Sequence, residues 1–201
     1  MRTYIRIIAG SLRGRKIPCV VNEELQPTPQ MVREAFFSIL GNAIPDRLFI
    51  DLFAGTGVVG MEALSRGASA AYFVERDFRS VQAIEKHLHD FQLTTSAKVF
   101  RSDVYRWIAA WIPPKNPVNV FLSPPFQDLS EHTEDLLNAL AVLQSKVPED
   151  SVIVLQSELG SPLDNLEQLR SWELRKYGRN LLLIWQREIT TEQESDPHES
   201  P

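Results

Sequence analysis

The residues able to do chemistry stand at the ends of short apolar runs. Asp51-Leu52-Phe53-Ala54-Gly55-Thr56-Gly57-Val58-Val59-Gly60 has the spacing G-x-G-x-x-G directly after one such run. Glycine permits a tight turn and lets a ligand approach the backbone, and a helix starting there offers free N–H groups. The same spacing also occurs in strand-to-helix turns that hold no ligand. Glu75 ends the next apolar run, 20 residues after Gly55. A carboxylate there can accept both hydrogen bonds of a ribose diol, the alternative being an ordinary surface charge. Two ligands compete for such a loop, the dinucleotide of a nicotinamide-dependent oxidoreductase and S-adenosylmethionine. Asp51 favours the second, because a carboxylate suits the charged amino group of a methionine moiety and repels a pyrophosphate. Asp103, in Arg101-Ser102-Asp103-Val104, can accept from an adenine amino group, cap the following helix, or do both.

A second cluster is Phe121-Leu122-Ser123-Pro124-Pro125-Phe126. Two prolines fix the backbone and remove two N–H donors, so their carbonyls are expected to be free to accept. The aromatic side chain behind them can stack on an extruded base. Other chemistry finds little support. His87 and His89 are two apart on an expected helix and face different ways, so they cannot pinch a metal. His132 and His198 have no evident partners, and solvated surface is expected for all four histidines. Cys19 is the single cysteine, so neither an internal disulfide nor a cysteine metal site is expected.

These residues need a frame, and the pattern supplies one. Strands are expected at Leu48–Phe53, Ala71–Glu75, Ala97–Phe100, Val118–Leu122 and Ser151–Gln156. Helices are expected between them at Val58–Arg66, Phe78–Phe91, Val104–Trp111 and Leu129–Leu143. Short apolar strands alternating with helices imply a parallel sheet covered on both faces. Trp172–Tyr177 and Asn180–Arg187, joined by Gly178-Arg179, predict a closing antiparallel hairpin where a dinucleotide fold would add another crossover helix. Ahead of this rhythm lies an appendage with a strand at Tyr4–Ala9, a turn at Gly10-Ser11 and a basic segment. It ends in a helix carrying Met31, Ala35, Phe36, Ile39 and Leu40 and stopping at Gly41. Thr28, with Pro29 behind it, is expected to cap that helix.

The 201 residues suit one domain of ordinary size with a small appendage. The net charge of −5 is unevenly spread. Residues 1–33 carry +4 and residues 188–201 carry −5, so residues 1–187 are neutral overall. A cationic head can attract a polyanion, while the Glu/Ser/Pro tail has little to bury and is expected to be disordered and dispensable. The longest apolar stretch, Leu48–Leu64, is broken by Asp51, Glu62 and three glycines, and no apolar run follows the first arginines. A soluble cytoplasmic protein with no membrane span is therefore expected.

The sequence resembles the RsmD-like methyltransferases, which methylate the exocyclic N2 of a guanine in 16S ribosomal RNA. The likeness covers about residues 5–188. It rests on Arg6-Ile7-Ile8-Ala9-Gly10, Arg13-Gly14-Arg15-Lys16, Pro27-Thr28 with Val32-Arg33-Glu34, and Asp51 to Gly57. It continues through Gly60 to Ala68, Phe73 to Asp77 and Pro124-Pro125-Phe126. The basic leader and the Glu62–Ala68 run are not general methyltransferase features. The resemblance implies an α/β, Rossmann-like class I S-adenosylmethionine-dependent methyltransferase. Its mostly parallel seven-stranded sheet would end in an antiparallel hairpin, with a small N-terminal β/α extension. Residues 1–41 would be an RNA-facing extension, 42–188 the methyltransferase domain and 189–201 an acidic tail. Asp51, Phe53, Gly55, Gly57, Glu75, Asp103 and Val104 would hold the cofactor. Ser123, Pro124, Pro125 and Phe126 would be catalytic. Arg6, Arg13, Arg15, Lys16, Thr28 and Arg33 would meet RNA, free or in a 30S assembly particle. A monomer without a metal is expected.

Two departures from the family pattern stand out. Gln26 replaces an arginine before Pro-Thr, and Ser123 replaces the Asp or Asn that usually opens the acceptor loop. Losing one oriented contact in an active site costs about 3 kcal/mol of barrier, roughly a hundredfold in rate. A slowed enzyme and an RNA-binding relic without turnover are both compatible with that exchange.

Overall fold

A computed structural model describes residues 2–20 and 27–190; Gln26 and the tail from residue 191 lie outside the described residues. The domain alternates as expected: β3 (Leu48–Leu52), α2 (Val58–Ser65), β4 (Ala70–Glu75), α3 (Phe78–Asp90), β5 (Ala97–Arg101), α4 (Val104–Ala110), β6 (Val118–Leu122), α5 (Phe126–Ser130), α6 (Thr133–Lys146) and β7 (Val152–Glu158). The closing pair, β8 (Glu173–Tyr177) and β9 (Asn180–Gln186), follows. The strand order is β5-β4-β3-β6-β7-β9-β8. β3 pairs in parallel with both β4 and β6, and β9 lies antiparallel between β7 and β8.

Alternating residues of the central strands feed two cores. Phe49, Phe73, Phe121 and Val154 face one layer with α2, α3 and the leader. Ile50, Leu52, Val74, Val120, Leu122 and Ile153 face the other, with α4 and α6. Burial on both faces is why these strands are mostly apolar rather than alternating, with Asp51 and Asn119 as buried exceptions. From β3 the chain runs outward to β4 and β5, then crosses back to β6 on β3's other side. That reversal opens a crevice beyond the carboxyl ends of β3 and β6. No helix among the described residues is long and apolar enough to cross a membrane.

The expected helix at Leu129–Leu143 is two helices, α5 and α6, broken at Glu131-His132. Both halves bury leucines in one cluster, so apolar spacing ran through the break. The leader differs more. It is a β-hairpin, β1 (Arg2–Arg6) with β2 (Lys16–Val20), followed by α1 (Gln30–Leu40). Pro18 concealed β2, since proline discourages a strand assignment, yet a two-stranded ribbon has open edges that tolerate it. Thr28 does not cap α1: Pro29 holds the cap position and no side chain bonds there. His87 is buried against the hairpin, where the Pro18 carbonyl bonds it and burial lowers its pKa; it is not solvated surface. His89 and His132 are exposed as expected.

The turn of the leader docks on the end of α2. Ser65 donates its hydroxyl to the Ala9 carbonyl at 2.6 Å and accepts from Leu12 N–H at 2.9 Å, while its carbonyl accepts from Ser11 N–H at 2.8 Å. Gly10 has φ +81°, and a Cβ there would lie 1.7 Å from the Ser65 carbonyl oxygen. Backbone cannot yield to that extent. Gly10→Ala should therefore lift the turn off α2 and make Arg13–Lys16 a preferred trypsin site, with cofactor affinity unchanged. A Gly10→Ala variant as resistant to limited trypsin digestion as the wild type would disprove this docking.

Candidate active site

Phe53, Gly55 and Gly57 all take positive φ (58°, 52° and 70°) as the chain turns from β3 into α2. The third glycine has another duty. A Cβ on Gly60 would sit 2.3 Å from a Phe73 ring carbon, so glycine here lets α2 lie close on β4. Gly57 has no side chain with which to cap α2, and the free N–H of Gly60 in its first turn is taken by a side chain from β3 instead.

Three carboxylates ring this turn. Asp51 is buried and its Oδ2 accepts from Gly60 N–H at 2.9 Å. Desolvation pushes its pKa up to about 8; nearby Glu75 adds to the rise, against the opposing Gly60 bond. Among the described residues no cation pairs with it. A buried acid lacking a counter-ion fits a small cationic ligand such as an α-ammonium. Glu75 braces the loop, with Oε2 accepting from Gly55 N–H at 2.9 Å and Oε1 from Asp77 N–H at 2.8 Å. Each oxygen keeps a lone pair for a diol. Asp103 caps α4, its Oδ1 accepting from Arg106 N–H at 3.0 Å, so the capping role is realised. Val104 is buried beside it. These groups fit S-adenosylmethionine part by part: an acid for the ammonium, glycine backbone for the methionine, acids for the ribose and adenine.

Ser123 follows β6, and its N–H bonds the Leu52 carbonyl at 3.3 Å, which sets the acceptor loop beside the glycine turn. The Pro125 carbonyl is not free as expected; it accepts from Asp128 and Leu129 N–H, starting α5. No described residue donates to the Pro124 carbonyl, which leaves it available. Phe126 is 64% exposed at the rim.

Sequence reading missed two groups that position this loop. The Tyr105 hydroxyl donates to buried Asp128 at 2.8 Å, tying α4 to α5, and its ring meets Phe53 edge-on. Burial and the Asp128 carboxylate raise the Tyr105 pKa, so the phenol keeps its proton. Gln156, near the end of β7, bonds both Ser123 and Thr28. Nothing in a lone polar residue after an apolar run announces either role.

The leader's cations divide. Arg6, Arg13, Arg15 and Lys16 are exposed. Arg15 lies over the Phe91 ring and Lys16 over the Tyr4 ring. Arg33, expected to meet RNA, is 2% exposed and cannot. Its guanidinium bonds Glu62 at 3.2 Å, the Thr28 carbonyl at 2.7 Å and the Arg6 carbonyl at 2.9 Å. Thr28 is likewise buried and turned toward Gln156 rather than outward. The unusual Glu62–Ala68 run is thereby explained: Glu62 and Ser65 on α2 receive the leader.

The model of the family described as Conserved hypothetical protein 95 matches residues 5–186. Ribosomal RNA small subunit methyltransferase D of Escherichia coli is 34% identical over 196 residues, 96% of this chain and 94% of that one. The solved structure of the Escherichia coli yhhF protein superposes with a TM-score of 0.74 at 32% identity, covering 94% of this chain and 100% of that one. The T. thermophilus 16S rRNA N2 G1207 methyltransferase (RsmC), solved with AdoMet and guanosine, shares the fold with a TM-score of 0.70 at 21% identity, covering 94% of this chain and 50% of that one.

Proposed function

The chain belongs to the family described as Conserved hypothetical protein 95, and on that premise we propose that it methylates the exocyclic N2 of a guanine in 16S ribosomal RNA, using S-adenosylmethionine. Methylation of ribosomal RNA is supported by the name of its 34%-identical relative. Guanine N2 as the acceptor is supported by one observation. Ser123 and the Pro124 carbonyl, an acceptor pair next to an exposed aromatic, stand at the end of β6 against the glycine turn of β3. The substrate would be the RNA itself or a 30S assembly particle, met in the cytoplasm by a monomer.

Bound S-adenosylmethionine supplies an electrophilic methyl on a sulfonium, so the chemistry calls for no metal. The guanine amine is a poor nucleophile because its lone pair is delocalised into the ring. Ser123 Oγ and the Pro124 carbonyl would accept its two N–H bonds and turn the lone pair toward the methyl. The N2–C bond forms as the C–S bond breaks, and one N2 proton then leaves to water. Phe126 would stack on the base, and most of the acceleration is positional. Arg6, Arg13, Arg15 and Lys16 would meet phosphates.

Transfer of labelled methyl to unmethylated small-subunit RNA or particles, followed by nucleoside analysis, tests the proposal; label on protein or on adenine N6 would refute it. Ser123→Ala should lower turnover about tenfold with cofactor affinity unchanged, the loss expected for a neutral hydrogen bond made mainly in the transition state. A silent wild type rescued by Ser123→Asn or Ser123→Asp would instead establish the relic.

A further inference from the structure

We propose that Gln156 is a positioning residue that makes Ser123 an acceptor, an inference that rests on the N2-methylation reading above. A serine hydroxyl facing an amine can donate or accept, and it is useful to an N–H donor only if its own proton points elsewhere. Gln156 provides that destination. Its Oε1 lies 3.4 Å from the Ser123 hydroxyl and 3.0 Å from the Thr28 hydroxyl, both of which donate to it. Two hydroxyls fill the two lone pairs of one carbonyl. Its Nε2 donates to Asn180 Oδ1 at 3.0 Å.

That last bond orients the whole set. An amide free to turn over would present N–H to the two hydroxyls, and Ser123 would then point its proton at the substrate. Asn180, the first residue of β9, holds the carbonyl toward the hydroxyls instead. Three sheet strands and the leader therefore converge on one amide: Ser123 after β6, Gln156 on β7, Asn180 on β9 and Thr28 before α1. The same carbonyl senses whether the leader is docked, because Thr28 shares it.

Steady-state methylation of unmethylated 30S particles tests this, with melting temperature and cofactor affinity measured alongside. Gln156→Met keeps the size and removes the bonds. It should lower kcat about tenfold, with KM for the particle and cofactor affinity within about twofold. Gln156→Glu, whose carboxylate still takes both hydroxyl protons, should stay within about threefold of wild type. Asn180→Leu, which frees the amide to turn, should lower kcat about threefold. The double variant Gln156→Met/Ser123→Ala should be no slower than Ser123→Ala alone, since the two act as a unit. An unchanged kcat in Gln156→Met, losses that multiply in the double variant, or a Glu variant as slow as the Met variant would each overturn the inference. If N2-methylguanine is still the product in those cases, Gln156 alone has been misassigned. If another nucleoside carries the label, the function itself has been.

Discussion

Glu62→Ala should lower the melting temperature by about 10 °C and release the leader. Glu62 is fully buried in α2 and carries two arginines, Arg33 at 3.2 Å and Arg66 at 2.8 Å. Burial drives the Arg33 pKa down, and the Glu62 charge is the largest influence opposing it. Removing the carboxylate leaves a buried guanidinium with two backbone carbonyls as partners. Breaking such a pair costs about 3–5 kcal/mol, and in a domain of this size each kcal/mol moves the midpoint by about 2–4 °C. Arg66 suffers less, being more exposed and resting on the Phe37 ring. Arg33→Met with Glu62→Leu should recover most of the lost stability, because no charge is then stranded, yet methylation should stay impaired because nothing grips the Arg6 and Thr28 carbonyls. Calorimetry on the three proteins decides it, and a shift below about 3 °C for Glu62→Ala would count against the Arg33–Glu62 pair as the leader's anchor.

Asp51→Asn should stabilise the protein at pH 8 and weaken cofactor binding. In the fold the carboxyl holds its proton up to about pH 8; unfolded, it releases it near pH 4. Between those values unfolding releases a proton, so this group's contribution to stability falls as pH rises through the window and levels off above it. About four pH units at 1.4 kcal/mol each set an upper bound of about 6 kcal/mol, and relaxation around a buried charge lowers that to several kcal/mol. Asparagine keeps the shape without the penalty. The variant should therefore melt several degrees higher than wild type at pH 8 and nearly equal to it at pH 4. Its affinity for S-adenosylmethionine should drop about tenfold to a hundredfold, since a hydrogen bond between charged groups is worth about 1.5–3 kcal/mol. Equal melting at pH 8 would show that Asp51 carries no burial penalty, and unchanged affinity would show that it is no ligand.

The parallel sheet was legible because most of its strands are short apolar runs set between helical stretches; Val118–Leu122 matches its sequence assignment residue for residue. The glycine turn and the acceptor loop were legible for the same reason, since both follow such runs. What escaped needed partners distant in sequence. Arg33 looks like surface because arginine usually is, and its one signal was Glu62, an acid inside the apolar run Val58–Leu64. His87 escaped because its helix position meets Pro18 of β2, a strand that the proline itself hid. Gln156 is 33 residues from Ser123, 128 from Thr28 and 24 from Asn180, and only the strand order joins them.

Those separations also set a schedule for synthesis. The leader emerges first, but its receptors come later: Glu62 is 29 residues after Arg33, Ser65 is 56 after Ala9, and Gln156 is 128 after Thr28. At 5–20 residues per second the last interval is roughly 6 to 26 seconds. Until α2 has been made, the hairpin has Ile5, Ile7 and Ile17 with no helix to bury them fully, on a ribbon too small to be stable alone. Its outer side carries Tyr4, Arg6 and Lys16. The cations proposed to meet RNA in the finished enzyme thus have an earlier task, keeping an unpartnered apolar hairpin in solution while the ribosome makes the rest of its seat.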